Sequence, residues 1–70
     1  MTIGEKLREL REEKELTQAE LSSKTLIHKN SISAWERDVC EPSVFNCIVL
    51  ADYFGITLDE LCCRNNNGKK

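Results

Sequence analysis

The sequence predicts an all-α fold of five short helices in one small domain, and three observations lead to that prediction. The chain has 70 residues, which is enough for a single hydrophobic core. It contains three Gly and one Pro, too few for the many tight turns of an all-β fold. Its 40% hydrophobic and 31% charged residues are typical of a globular chain rather than a disordered one.

Three Thr-x-x-Glu segments mark where helices begin. In this capping box the Thr hydroxyl accepts a hydrogen bond from the backbone of the Glu, and the Glu side chain accepts one from the backbone of the Thr. Each segment is followed by a run with helical apolar spacing, so each predicts a helix start. The boxes are Thr2 with Glu5, Thr17 with Glu20, and Thr57 with Glu60.

The first two helices follow from apolar spacing. Helix 1 is predicted over residues 3–14, because Ile3, Leu7 and Leu10 form one stripe among charged residues. Helix 2 begins after Thr17, carries Leu21 inward and ends near Thr25. Residues 26–28 are too few for anything but a turn.

Helix 3 is predicted over residues 29–37 and has two different faces. At about 100° per residue, Ile32 and Trp35 fall on the inward side. We therefore interpret Trp35 as a core residue and not as one that stacks on a DNA base. The opposite face is polar and small, with one charge, and consists of Asn30, Ser33, Ala34 and Arg37.

Helices 4 and 5 complete the domain, which we expect to span residues 1–63. Ser43 can cap helix 4, Gly55 suits the left-handed position after its end, and Leu58 and Leu61 lie in helix 5. Residues 64–70 contain no apolar side chain and are expected to be disordered. Helix 4 has a wide apolar face formed by Val44, Cys47, Ile48, Leu50, Ala51 and Phe54.

Charge and hydropathy exclude some classes of protein. The longest apolar run is five residues, whereas a membrane span needs about 20, and the N-terminus lacks the apolar core of a secretory signal. We therefore expect a cytoplasmic protein without a membrane segment. The net charge is −2, so charge alone does not indicate a nucleic-acid partner. Residues 24–40 are the least acidic stretch, with three Lys or Arg against two acidic residues.

The four cysteines do not indicate a metal site. Cys40, Cys47, Cys62 and Cys63 lack the paired C-x-x-C spacing of zinc ligands, and the chain has one His. Cys47 lies on the apolar stripe of helix 4, where a thiol behaves as a small hydrophobic group. The adjacent Cys62 and Cys63 are either inert or a thiol sensor. No Ser/His/Asp set or Gly-rich phosphate loop is present, so we expect neither catalysis nor a cofactor.

The segments in the middle of the chain, taken in order, resemble the helix-turn-helix domain of Cro/C1-type (XRE) transcriptional regulators. The resemblance extends over about residues 3–62 and includes the family's ending at residues 55–61, so it implies a compact bundle of the phage-repressor type. Helices 2 and 3 would form the helix-turn-helix, with helix 3 in the DNA major groove. The matching segments are Thr17-Gln18-Ala19-Glu20-Leu21, Ile27, Ser31-Ile32-Ser33, Trp35-Glu36-Arg37 and Pro42-Ser43.

The resemblance also implies roles for individual residues. Gln18 would donate to a phosphate at the start of helix 2, and Arg37 would contact a phosphate at the end of helix 3. Arg11 would pair with Glu36 and neutralise it. The residues that would meet base edges are His28, Lys29 and Asn30, followed one turn later by Ser33 and Ala34.

Two departures from the family pattern bear on these roles. Leu26 occupies a turn position where the family often has Gly, and a positive φ strains Leu, so we expect a turn of different conformation. Asp38 replaces the Gly that commonly follows Glu-Arg, and Val39, Cys40 and Glu41 replace basic residues. Fewer phosphate contacts predict modest affinity per monomer.

The sequence therefore predicts a regulator, most simply a repressor, that binds double-stranded DNA in a sequence-specific way. A domain this small needs a second copy for specificity, so we expect a homodimer on an inverted-repeat operator. Leu58, Leu61 and Cys62 are the candidate dimer contacts, although Leu61 could instead close the core. The alternative is a protein-interaction or antitoxin-like module whose main partner is another protein, which the acidic net charge favours.

Overall fold

The computed structural model describes residues 1–62, which form five α-helices and no strand. The predicted all-α fold is confirmed, and the helices end within one residue of the predicted positions. The predicted tail of residues 64–70 and Cys63 lie outside the described residues, so the domain boundary stays a prediction. The helices are α1 (Ile3–Glu13), α2 (Gln18–Thr25), α3 (Lys29–Glu36), α4 (Val44–Phe54) and α5 (Leu58–Leu61).

All three predicted capping boxes are confirmed. At the start of α1, the Glu5 backbone N–H donates to Thr2 Oγ1 at 3.0 Å, and the Thr2 N–H donates to Glu5 Oε1 at 2.9 Å. The same reciprocal pair of hydrogen bonds opens α2 and α5. Ser43 caps α4 as predicted by accepting from the Asn46 N–H at 3.2 Å. These bonds satisfy backbone donors that the first turn of a helix leaves without partners.

The core takes one fully buried aliphatic side chain from every helix. Around these five, α1 packs against α3 and α5, α2 packs against α3 and α4, and α4 packs against α5. Trp35 is also buried, which confirms its predicted place in the core. Because each helix contributes a central side chain, the position of α3 depends on all of the others. The five side chains are Leu7, Leu21, Ile32, Leu50 and Leu61.

Each of the first four helices is followed by a residue with positive φ. Only Gly55, at φ 71°, was predicted to take this left-handed conformation. The three others are Glu15 at 57°, Leu26 at 63° and Asp38 at 60°. After α3, the Asp38 N–H donates to the Trp35 carbonyl and the Val39 N–H to the Ala34 carbonyl, which satisfies orphan carbonyls at the helix end.

The apolar face predicted for α4 is only partly buried. Cys47, Leu50 and Ala51 lie in the core, whereas Val44 is 73% exposed and Ile48 is 42% exposed. The apolar face of α4 is therefore wider than the part of it that the rest of the domain covers. None of the helices within residues 1–62 has the length and apolar character needed to cross a membrane.

Candidate nucleic-acid interface

Helices α2 and α3 form two short rods joined by a turn of three residues. Leu21 of α2 and Ile32 of α3 are both fully buried, and they hold the two helices against the same core. The turn begins at Leu26, which is the C-cap of α2, and ends at His28, which is the N-cap of α3. This arrangement lets α3 project a face away from the core, as a helix that enters the major groove must do.

The turn keeps a left-handed residue even though that residue is Leu. Leu26 lies at φ 63° and ψ 22°, so the expectation of a different turn conformation was wrong. Its N–H donates to the Ser22 carbonyl at 2.8 Å, and its side chain is 91% exposed. The surrounding helices therefore impose the conformation, and Leu26 bears the backbone strain without gaining any burial.

His28 has a structural role that was not predicted for it. Its Nδ1 accepts a hydrogen bond from the Asn30 backbone N–H at 3.0 Å, and this bond caps α3. An accepting Nδ1 carries no proton, so the imidazole can donate only through Nε2. The resemblance to the family implied only a contact with DNA for His28. Its position immediately before a helical run was the signal for a cap.

The predicted contact residues of α3 form one accessible face. Lys29, Asn30 and Arg37 are exposed, and Ser33 and Ala34 are half-buried between them. Arg37 Nε lies 3.4 Å from Ser33 Oγ, one turn back along the helix. The first turn thus offers an ammonium group and an amide, and the last residue offers a guanidinium group. These groups can bind base edges and phosphates.

Glu36 lies beside this face, and its charge is compensated by Arg11 of α1. Arg11 of α1 donates from Nε to Glu36 Oε2 at 2.8 Å and from Nη2 to Oε1 at 3.0 Å, a bidentate contact. The side chains are only 13% and 3% exposed, respectively. The hydrogen bond from Glu36 raises the pKa of Arg11 above its ordinary value, outweighing the opposite effect of burial. The structure thus brings together the two residues of the expected ion pair.

Gln18 joins the same cluster. Its Nε2 donates to Glu36 Oε1 at 3.0 Å, while Arg11 Nη1 donates to the Leu16 carbonyl at 2.6 Å. The expected phosphate contact of Gln18 therefore has a competitor within the protein. The amide carries two N–H groups, so one can hold Glu36 while the other reaches a phosphate. The structure connects the start of α2 to the end of α3 through this side chain, a link that sequence reasoning missed.

The segment after α3 is acidic and approaches the start of α1. Asp38 Oδ2 accepts a hydrogen bond from Thr2 Oγ1 at 3.2 Å, which joins this segment to the N-cap of α1. Asp tolerates the left-handed conformation better than most residues, so it can take the position that Gly has in the family. Val39, Cys40 and Glu41 are exposed beyond it.

The three candidate dimer contacts differ in accessibility. Leu58 is 39% exposed and Cys62 is half-buried, but Leu61 is fully buried. Leu61 closes the core, which is the alternative that the sequence left open for it. Leu58 and Cys62 line an open groove of about 910 Å³ together with Val44, Val39 and Met1. The exposed apolar surface continues along α4 with Phe45.

Within residues 1–62, no group of three or more His, Cys, Asp or Glu side chains is arranged to hold a metal ion. Cys40 is exposed, Cys47 is buried and Cys62 is half-buried, and all three are free thiols.

Two curated bacterial proteins are similar to this chain. It is 34% identical over 61 residues to the HTH-type transcriptional activator BcrR of Enterococcus faecalis, an alignment that covers 87% of this chain and 30% of that protein. It is 30% identical over 70 residues to the HTH-type transcriptional regulator ImmR of Bacillus subtilis, covering 100% of this chain and 55% of that protein. The chain thus spans less than a third of one relative and about half of the other.

No solved structure matches the chain with comparable significance. A family model described as helix-turn-helix matches residues 7–61, which include every helix except the first turn of α1. The matched region contains the left-handed turn at Leu26, the exposed face of α3 and the Arg11–Glu36 pair. The chain belongs to the helix-turn-helix family, in its Cro/C1 (XRE) type.

Proposed function

We propose that this chain binds double-stranded DNA in a sequence-specific way through α3 and thereby regulates transcription in the cytoplasm. The observation that carries the proposal is the face of α3, where Lys29, Asn30 and Arg37 are exposed while the adjacent Glu36 is neutralised. Without Arg11, a carboxylate next to the DNA backbone would repel it. With Arg11, the face that meets the groove carries positive charge and amide donors.

The proposed contacts fall into two groups: those that distinguish the bases and those that position the protein on the DNA backbone. Asn30 suits the paired donor and acceptor of adenine, and Lys29 suits the acceptors of guanine. His28 Nε2, Ser33 and Ala34 would complete the base-facing set, with the Ala34 methyl suited to a thymine methyl. Gln18 and Arg37 would bind phosphates on either side of the groove, so they would set register without reading sequence.

The chain is proposed to act as a homodimer on an inverted repeat. The acidic segment after α3 offers few phosphate contacts, so one copy would bind weakly. Exposed Val44, Phe45 and Leu58 give a second copy an apolar surface to cover, and Cys62 lies at its edge. Two recognition helices one DNA turn apart, about 34–36 Å, would then read two half-sites.

The direction of regulation is proposed to be repression, because a dimer seated on an operator blocks polymerase without any further contact. BcrR is described as an activator and ImmR as a regulator, so a transcription assay in vitro should include an operator that overlaps the promoter and one upstream of it. Repression predicts fewer transcripts from the first template only. More transcripts from the second template would assign activation instead.

The DNA proposal is tested by selecting a random duplex library with the purified chain at two salt concentrations. The expected result is an enriched inverted repeat whose recovery falls steeply with salt. Asn30→Ala should relax the preference at one position of each half-site, whereas Gln18→Ala should weaken binding to all sequences alike. Arg8→Ala is the matched control, because Arg8 pairs with Glu12 on α1 and should leave selection unchanged.

If no sequence is enriched even at low salt, the proposal fails and the protein-interaction alternative replaces it. In that case the apolar surface that includes Val44, Phe45 and Leu58 becomes the site for a partner protein. A preference that survives Asn30→Ala and Lys29→Ala together would show that α3 does not read the bases.

A further inference from the structure

Three thiols from different parts of the chain meet at one groove. Cys40 lies in the segment after α3, Cys47 lies on α4, and Cys62 ends α5, yet all three line the same open groove of about 910 Å³. The DNA proposal uses none of these thiols as a reactive group. Their convergence is a product of the fold, because no spacing in the sequence pairs them.

Within this group, Cys62 packs against the buried core cluster that contains Cys47, and both side chains line the groove. Burial raises the pKa of Cys47 to about 11, and the next causes are the charge and the hydrogen bond of the Cys62 thiol. The Cys47 thiol also donates to the Pro42 carbonyl at 3.9 Å. Cys47 is buried at the floor of the groove and Cys62 is half-buried at its side, whereas Cys40 stands on the exposed segment.

We propose that Cys47 and Cys62 are a redox pair, which a small disulfide such as oxidised glutathione converts into an intramolecular disulfide that joins α4 to the end of α5. This differs from a sensor made of Cys62 and Cys63. Residues adjacent in the chain have Cα atoms about 3.8 Å apart, below the usual disulfide range of about 4.4–6.8 Å. Cys62 therefore has a better partner across the groove than along the chain.

The reaction proceeds in two thiol–disulfide exchanges. The accessible Cys62 thiolate attacks one sulfur of oxidised glutathione, the glutathione disulfide bond breaks, and one glutathione thiolate leaves and takes up a proton. Cys47 then gives up its proton to solvent, and its sulfur attacks the Cys62 sulfur of the mixed disulfide and releases the second glutathione. Two protein thiols lose two electrons and two protons, and oxidised glutathione becomes two glutathione molecules.

The position of Cys62 makes closure feasible. It is the C-cap of a four-residue helix, so the backbone beside its sulfur lies at a helix end and not within a long helix. Proximity offsets the slow ionisation of buried Cys47, because the second exchange is intramolecular. The bond would also anchor α5, whose Leu61 closes the core.

The experiment uses the full chain, reduced and then incubated in its folded state with oxidised glutathione. Cleavage after aromatic residues separates Cys40 in residues 36–45, Cys47 in residues 46–53, and Cys62 with Cys63 in residues 55–70. The expected product under non-reducing conditions is residues 46–53 joined to residues 55–70, lighter by two hydrogens than the two peptides together. In urea the same treatment should produce several different disulfides, because only the fold brings these two thiols together.

Four variants identify the cysteines that form the cross-link. Cys62→Ser, which removes the more accessible thiol, should abolish the cross-link, whereas the matched controls Cys63→Ser and Cys40→Ser should retain it. Cys47→Ser should leave one glutathione attached to Cys62. The proposal is overturned if the cross-link persists in Cys62→Ser, if the main product contains residues 36–45, or if the wild-type chain only accumulates glutathione adducts. None of these outcomes depends on DNA binding, so the redox pair and the proposed function can fail separately.

Discussion

Gly4 of α1 lies directly against the carbonyl oxygen of Trp35 in α3. A β-carbon at Gly4 would overlap that oxygen and would stand 2.6 Å from a carboxylate oxygen of Asp38. The Trp35 carbonyl is part of the backbone and cannot rotate away as a flexible side chain would. The absence of a side chain at position 4 therefore lets α1 approach the end of α3 closely.

Gly4→Ala should destabilise the chain by about 1–3 kcal/mol, as overpacked sites do. The overlap outweighs the roughly 1 kcal/mol that Ala normally gains over Gly inside a helix. Urea unfolding of both proteins measures the difference. Gly55→Ala is the comparison, because nothing lies within 4 Å of an added β-carbon there and only the φ of 71° opposes it. Gly55→Asn should recover part of that loss, whereas a Gly4→Ala chain of wild-type stability would contradict the close contact.

Much of this fold could be predicted because its helices begin with explicit local signals. A capping box is a contact between residues three apart, so Thr2 with Glu5 marks the start of α1 whatever the rest of the chain does. The inward direction of Trp35 follows from helical periodicity alone. These features need no knowledge of tertiary contacts.

The remaining features depend on contacts between distant segments. Leu26 and Glu15 take positive φ because the helices on either side are fixed by packing, and neither residue type signals this. The bond from Gln18 to Glu36 joins residues 18 positions apart, so no local pattern contains it. The neighbouring thiols of Cys47 and Cys62 are a further case. The candidate face of α3 could be predicted from the sequence because it lies on one helix. The cluster beside it, in which Arg11 and Gln18 bind Glu36, comes from three helices and could not be predicted in full.

Leu26→Gly should stabilise the chain by about 1 kcal/mol. The left-handed conformation costs a residue with a β-carbon about 1–2 kcal/mol, and Gly avoids this cost. Gly also loses more backbone entropy on folding, which offsets part of the gain in stability. The side chain is 91% exposed, so little burial is lost. Ser23→Gly, an exposed position inside α2, is the matched control and should lower stability instead. Equal effects of the two changes in thermal unfolding would show that Leu26 is not strained.

Removing one partner of the Arg11–Glu36 pair should cost about 3–5 kcal/mol, because the other charge would remain buried without compensation. Arg11→Met preserves most of the side-chain volume and isolates the loss of charge. The double variant Arg11→Met/Glu36→Leu should recover much of the stability, since no unpaired charge then remains. Chemical unfolding of the four proteins gives the coupling between the two sites. If the double variant lost as much stability as the two single variants together, the two residues would not depend on each other.

His28→Ala should lower stability by about 1 kcal/mol through loss of the N-cap of α3. His28→Asn should keep the cap, because its side-chain oxygen can accept from the Asn30 N–H as Nδ1 does now. Comparing both variants in unfolding and in binding to the selected operator separates the two roles of this residue. If the imidazole also contacts DNA, Asn should preserve stability and still weaken binding. Loss of stability in both variants would contradict the capping role.

The stability of the chain should fall between about pH 8.5 and pH 11, in part because of Cys47. Burial raises the pKa of this thiol to about 11 in the folded chain, whereas an unfolded thiol ionises near pKa 8.5. Above pH 8.5 the unfolded state releases its proton first, so rising pH favours unfolding until the folded thiol also ionises.

Other groups titrate in this range, so the measurement is the difference in stability between the wild type and Cys47→Ala, taken in the presence of a reducing agent. The variant should lose less stability between pH 8 and about pH 10.5 than the wild type, and Cys40→Ser should follow the wild type. Parallel curves for wild type and Cys47→Ala would show that burial does not disfavour the thiolate.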